Sequence, residues 1–275
     1  MKDIVNNRRL ISFPEKLSIA RLAYAQNGIA WCTAFGVYYV ASALSNRAFS
    51  TMDRIRKRRG VPGLNSLELN RAIWKSWNWD SGGEEWSSDE DWKQSVIDGF
   101  IDRYIPASSS ILEIGPGGGR WTEVLLKRAS RYIGIDISPS CIEACRARFG
   151  DNDRARFIVG SGSDLEAVPN SSIEALWSFD VFVHINQSEV DKYAEEFNRV
   201  LKPGAIAIVH HGTVGGALGG WRSNLTQDAM MEILASRGFD VIESTEEWRN
   251  GDTTYDLRTY RDRITVFSKP TSQMM

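Results

Sequence analysis

Cysteine and histidine are both scarce in this chain, three of each among 275 residues. Cys32, Cys141 and Cys145 are too few and too scattered for a disulfide framework. Nothing near the Cys141/Cys145 pair completes a zinc cluster, so the cysteines read as reduced thiols of a cytoplasmic protein. An excess of charge is missing too: 33 basic side chains stand against 35 acidic ones, a net of −2. A general nucleic-acid binder would carry a basic surplus or stripe, and no nucleic-acid partner is expected. No short apolar segment with a small-residue cleavage site opens the chain, so export through a signal peptide is not expected. Internal repeats and low-complexity tracts are absent. What remains is 42% hydrophobic and 25% charged, a globular composition long enough for one large α/β domain with an appendage, or for two small domains.

The character of the chain changes near residue 100. Before it there is no strand pattern, and Trp74, Trp77, Trp79, Trp86 and Trp92 crowd together. From Ser109 onward, short apolar runs alternate with longer amphipathic stretches, as in successive βα units of a parallel sheet. Strands are expected at Ser110–Ile114, Tyr132–Asp136, Arg156–Val159, Ile173–Phe179 and Ala205–His210, with two more near Asp240–Ser244 and Ile264–Ser268. Helices are expected over Trp121–Ala129, Pro139–Phe149, Gln187–Val200 and Thr226–Arg237. Lys202-Pro-Gly204 reads as a turn after a helix, and the Gly-rich Gly212–Asn224 as a loop.

One long uncharged run stands apart. Leu22–Asn46 holds no charged residue, and Arg54-Ile-Arg-Lys-Arg-Arg59 follows it. Length and basic flank suit a membrane span, but Gln26, Asn27, Thr33 and much alanine temper its hydrophobicity. A helix buried against the protein, or covering its mouth, is the preferred reading; membrane contact through 22–46 is the alternative. The protein is expected to be cytoplasmic, with membrane association as that alternative. Its oligomeric state cannot be read.

The most informative segment is Ile111-Leu-Glu-Ile-Gly-Pro-Gly-Gly-Gly-Arg-Trp121, an apolar strand running through glycines into a helix. Glycines let backbone approach a ligand, and a helix start offers unpaired N–H groups. A dinucleotide fingerprint needs glycine at the sixth position of the loop, where Arg120 stands after Gly115, Gly117 and Gly119. Glu113, just before the loop, would repel a pyrophosphate and suit a cationic ligand.

These residues resemble the class I S-adenosylmethionine-dependent methyltransferases. Glu113, Gly115, Gly117 and Gly119 match that family's acidic-x-G-x-G-x-G motif, and Asp136 ends the second strand 21 residues after Gly115. The resemblance covers roughly residues 105–270. It implies an α/β, Rossmann-like seven-stranded, mostly parallel sheet with helices on both faces and an antiparallel last hairpin strand. An N-terminal helical segment, 1–100, would precede the S-adenosyl-L-methionine-binding domain, 101–275. It also implies Glu113 near the cofactor's amino group and Asp136 on its ribose. The family often has Gly-Asp after the third strand; here Ser161 stands where that acid would align, and Ser163 or Asp164 becomes the candidate adenine contact.

No Asn/Asp-Pro-Pro-aromatic run follows strand four, which favours oxygen over nitrogen as the methyl acceptor. His184, His210 and His211 all fall near the carboxyl ends of strands, where open parallel sheets bind ligands. One of them, or Asp180, is expected to handle the acceptor's proton; His211 ranks first, then His210. Adjacent His210 and His211 on a strand point to opposite faces, and no metal site is expected. Trp79-Asp-Ser-Gly-Gly-Glu-Glu-Trp86 and the stretch from His210 to Trp221-Arg-Ser223 resemble methyltransferases of bacterial surface-glycan and sugar clusters. That resemblance implies O-methylation of a sugar hydroxyl in a glycan or glycolipid. Trp79, Glu84, Glu85, Trp86, Trp221 and Arg222 supply the aromatic faces and hydrogen-bonding groups of such a site, whereas Trp74 and Trp77 read as packing. A small natural product or lipid acceptor, and a non-catalytic cofactor-binding module, are the rival readings.

Overall fold

A computed structural model of the chain describes residues 13–61, 63–150, 153–216 and 222–271. It divides into two units, residues 1–59 and 60–275. The division lies earlier than the change of character near residue 100, because Trp92, Val96 and Phe100 belong to the buried core of the second unit.

Among the described residues the first unit is one long helix, α1 (Phe13–Arg59), interrupted at Gly28, whose φ of 76° and ψ of 174° are not helical. None of its apolar stretch is buried, and Ile29, Val37 and Leu44 are each more than 60% exposed.

The second unit opens with α2 (Leu67–Ser76), capped by Ser66, whose side chain accepts the Leu69 N–H at 3.2 Å. A strap with a short 3₁₀ turn at Glu84–Trp86 leads to α3 (Glu90–Val96), capped in the same way by Asp89. Then come β1 (Ser109–Ile114), α4 (Thr122–Arg128), β2 (Ala129–Asp136), α5 (Pro139–Phe149) and β3 (Ala155–Val159). The second half holds β4 (Ile173–Phe182), α6 (Gln187–Val200), β5 (Leu201–His211), α7 (Gln227–Ser236), β6 (Asp240–Thr245), β7 (Glu247–Asn250), β8 (Thr253–Asp256) and β9 (Arg263–Ser268).

Seven strands form one sheet in the order β3-β2-β1-β4-β5-β9-β6. Neighbours from β3 to β5 run parallel, and β9 is antiparallel to both β5 and β6. All of β1 is buried, as a strand covered on both faces must be. Its side chains alternate between two cores. Leu112 and Ile114 join α6 and α7 in one, while Ile111 meets α3, α4 and α5 in the other. Helix α6 shows why the chain folds this way: Val190, Tyr193, Ala194 and Phe197 share one buried face at helical spacing. Val190 and Phe197 each contribute about 1.5–3 kcal/mol by leaving water.

Two details differ from expectation. Lys202-Pro203-Gly204 is not a separate turn; β5 starts at Leu201, and these residues form an irregularity in its pairing with β4. Gly204 still reaches across the sheet, its N–H donating to Lys269 O at 2.7 Å. The β7–β8 hairpin was not anticipated, since Trp248 is its only buried apolar residue. Trp248 anchors it on α3, with Nε1 donating to Ser95 Oγ at 3.0 Å.

Order reverses between β1 and β4, so the connections after those two strands leave in opposite directions and open a crevice at their carboxyl ends. The cavity described next lies there.

Candidate active site

Strand β1 passes into the glycine loop and then α4. Gly115 takes φ of 72°, its N–H donates to Ile135 O at 2.7 Å, and a Cβ there would come within 2.2 Å of Val181 Cγ2. Gly117 takes φ of 55°, and a Cβ would press on the Trp79 ring at 2.9 Å. Both positions line a cavity of about 480 Å³. Gly119 is off the cavity wall and abuts Phe149. Thus glycine is required at the first two positions by close approach on the ligand side, and at the third by packing.

Asp136, at the end of β2, lines the same cavity. Its carboxylate accepts the N–H groups of Gly117 at 3.1 Å and Ser138 at 2.8 Å. Burial pushes its pKa up to about 6 in spite of these bonds. Glu113, which the resemblance places near the cofactor's amino group, is off the cavity wall. Strand alternation sends Ile114 to the cavity and turns Glu113 the other way. There it accepts hydrogen bonds from Thr122 Oγ1 at 2.7 Å and Tyr132 OH at 2.5 Å. Burial raises its pKa to about 7. Its work is to tie the first turn of α4 to the sheet beneath the loop. Ser163 and Asp164 are likewise off the cavity wall: Ser161 Oγ donates to Asp164 and accepts from the N–H groups of both residues in a tight turn. Gly162 faces the cavity instead, packed against Ile137 and Leu67.

At the ends of β4 and β5 five charged or ionisable groups run in alternating sequence, Arg120–Asp180–His210–Asp262–Arg222. All five line the cavity. Asp180 holds φ of 61°, a conformation that side chains beyond glycine seldom take and that recurs at functional sites. His210 is 3% exposed and stacks on Phe179 with ring centroids 4.4 Å apart. Its Nδ1 lies 3.0 Å from Asp180 Oδ1 and 3.1 Å from the Asp180 amide nitrogen. The ring nitrogen cannot donate to the one and accept from the other at once. The bond to the carboxylate is charge-assisted and stronger, so the ring proton belongs on Nδ1. That leaves Nε2 as a lone-pair acceptor, 3.5 Å from Asp262 Oδ2 and, among the described residues, without a hydrogen-bond partner.

Burial alone would lower the His210 pKa, but the hydrogen bond to Asp180 and the charges of Asp180 and Asp262 outweigh it and raise the imidazole above its ordinary value. Burial would likewise raise the Asp180 carboxyl, yet Arg120 and His210 hold it well below the usual range. Arg120 spans the Trp121 and Phe179 rings, and its Nη1 is buried without a partner among the described residues.

His211, ranked first from the sequence, is on the far face. It is fully buried and absent from the cavity wall, with Nδ1 against Gly212 O at 3.0 Å and Nε2 against Thr265 Oγ1 at 2.8 Å. Burial pulls its pKa down to about 4. His184 does line the cavity, edge-on to Trp74 at 5.2 Å. Trp79, Trp86 and Arg222 line it as well, and so does Trp74, which had read as packing only. Glu85 does not: it accepts from Trp77 Nε1 at 3.0 Å and from Ser81 Oγ. Glu84 instead pairs with Lys93. Trp221 lies outside the described residues. Sequence reasoning missed Arg120 and Asp262 as site residues. The first had a signal, a charged side chain where a dinucleotide loop needs glycine; the second, between β8 and β9, had none.

Residues 111–204 match the family described as methyltransferase domain. They form a class I methyltransferase domain. S-Adenosylmethionine is its cofactor. An uncharacterized methyltransferase of Mycobacteroides abscessus is 29% identical over 119 residues, 42% of this chain and 45% of that protein. A probable ribosomal RNA small subunit methyltransferase A of Methanococcoides burtonii is 29% identical over 110 residues, 37% of this chain and 41% of that protein. The chain therefore spans less than half the length of these curated relatives. The fold of the methyltransferase domain recurs in the complex between the Haloferax volcanii Trm112 methyltransferase activator and its methyltransferase, at 20% identity and a TM-score of 0.56. The match covers 74% of this chain and 99% of the other.

The residues present fit the cofactor. Side chains at Gly115 and Gly117 would fill the cradle, the Asp136 carboxylate faces it as a hydroxyl acceptor, and the Ile137–Gly162–Leu67 surface offers an apolar slot for a base.

Proposed function

We propose that this chain O-methylates a sugar hydroxyl in a glycan or glycolipid, with His210 as general base. The observation that carries the reading is the His210 ring: it lines the cavity that Asp136 also lines, with Nδ1 anchored on Asp180 and Nε2 buried without a hydrogen-bond partner among the described residues. Gly115, Gly117, Asp136 and the Ile137 slot would hold S-adenosylmethionine, which when bound supplies an electrophilic methyl group on a sulfonium.

A sugar hydroxyl has a pKa far above neutrality, so its proton needs somewhere to go as the oxygen attacks. Nε2 of His210 receives it. Asp180 stabilises the imidazolium that forms and keeps the ring in the useful tautomer. Asp262 beside Nε2 makes that nitrogen more basic by its charge, and Arg222 holds Asp262 in place. Trp79 and Trp86 offer flat faces for the apolar side of a sugar ring, and Arg222 and Asp262 offer hydrogen-bonding partners for its hydroxyls.

The test is turnover with labelled cofactor on three acceptor pools: glycans, lipid-linked sugars, and lipids or small aromatics without a sugar. Incorporation into sugar-bearing fractions supports the reading. Incorporation only into the third pool replaces it with a lipid or natural-product acceptor, and cofactor binding with no incorporation anywhere leaves a binding module.

A further inference from the structure

Helix α1 carries an exposed apolar surface that the methyltransferase reading leaves unused. We infer that its segment Ile29–Asn46 is inserted across a phospholipid bilayer, with the basic cluster Arg54–Arg59 on the anionic headgroups of the side from which the catalytic unit continues.

Four observations carry this. The segment is uncharged from Leu22 to Asn46, its mean hydropathy reaches 1.3 over an 18-residue window, and none of that window is buried. The apolar side chains point to opposite sides of the helix: at helical spacing Ile29, Val37, Val40 and Leu44 fall on one side and Trp31, Phe35 and Tyr38 on the other, and all are exposed. A helix lying on a membrane keeps one polar face; one that is apolar on opposite sides needs an apolar medium all round. The length fits, since the continuous helix from Gly28 to Arg47 encloses residues rising roughly 27 Å, close to the hydrocarbon thickness. The Thr33 hydroxyl is satisfied within the helix, as a bilayer favours: its Oγ1 donates to Ile29 O at 2.9 Å.

Charge complementarity sets the occupant and the orientation. Arg54, Arg56, Lys57, Arg58 and Arg59 follow the segment within 13 residues of its end. Such a cluster is drawn to anionic lipid and is retained on the cytoplasmic side.

The experiment uses the full chain, purified in detergent and reconstituted into vesicles of equal parts phosphatidylcholine and phosphatidylglycerol. Expected is flotation with the vesicles that survives both high salt and alkaline carbonate. Trypsin added outside should release the catalytic unit by cutting at Arg54–Arg59. In Val37→Asp/Val40→Asp, two carboxylates at mid-span should cut the floating fraction about tenfold or more. Affinity for S-adenosylhomocysteine should stay unchanged in that variant, which separates loss of insertion from misfolding. Four results overturn the inference: a chain that stays in the supernatant without detergent, flotation that high salt abolishes, a lipid-free dimer that the double variant dissociates, or an isolated protein whose intact mass begins beyond Asn46.

Discussion

Gly115 is the residue on which the geometry places the sharpest demand, and Gly115→Ala can be worked from two separate costs. With φ of 72°, any side chain there adopts a left-handed conformation, at roughly 1–2 kcal/mol. The added Cβ would also come within 2.2 Å of Val181 Cγ2 and 3.3 Å of its Cβ, an overpacking of the kind that costs about 1–3 kcal/mol. The single variant should therefore lose about 2–5 kcal/mol of stability. Only the second cost belongs to Val181, so Val181→Ala, which removes the clashing methyl, should return it and leave the first. In urea denaturation the double variant should be about 1–3 kcal/mol more stable than the sum of the single effects allows. Titration with S-adenosylhomocysteine should show the same rescue in affinity, because the loop would regain its path. Additive effects, or a Gly115→Ala loss below about 1 kcal/mol, would refute the close-approach argument for this loop.

His210→Ala should lower turnover by about 10²–10⁴ while S-adenosylhomocysteine affinity stays near wild type; equal losses in both would make His210 structural. Because its pKa is raised and the base must be unprotonated, the ascending limb of the kcat/KM profile should lie above the ordinary histidine value of 6.5. Asp136→Ala should weaken S-adenosylhomocysteine binding by roughly 1.5–3 kcal/mol in calorimetry, and unchanged affinity would remove Asp136 from the site. Glu113, raised from 4.5 to about 7, binds a proton more tightly folded than unfolded. It therefore favours the fold fully below its unfolded pKa, and that contribution drains away as pH rises through about 7, a difference on the order of 3 kcal/mol. Glu113→Gln should flatten the stability profile between those pH values, and an unchanged profile would show that Glu113 is not the group responsible.

The sheet was legible because its central strands are largely buried and so read as apolar runs, while Pro139 and Gly150 bracket α5 and the spacing of Val190, Tyr193 and Phe197 marks the buried face of α6. The β7–β8 hairpin was not, since its stability comes from a tertiary contact of Trp248 rather than from any alternation of its own. Within the site, Gly115, Gly117 and Asp136 were readable from spacing, and they lie on the cavity wall. Glu113 lies off that wall, because a motif records position but not which face of a strand the side chain takes. The same face rule separates His210 from His211. Asp262 was invisible: its proximity to His210 depends on how the chain returns from β8 to β9, and no local pattern encodes that.

The strap before α3 and the glycine loop touch through backbone. A methyl added at Gly118 would come within 2.6 Å of the Gly82 carbonyl carbon, and the Trp79 ring rests against Gly117. Trp79 and Trp86, the faces offered to an acceptor, belong to that strap. A displacement of the strap that admits an acceptor therefore also shifts a wall of the cofactor cradle, and filling the cradle changes what the strap presents outward. Such coupling is reciprocal: the factor by which one ligand alters the other's affinity is the same in either direction. The coupling free energy between the two halves of the cavity is thus one quantity, whichever ligand is used to measure it.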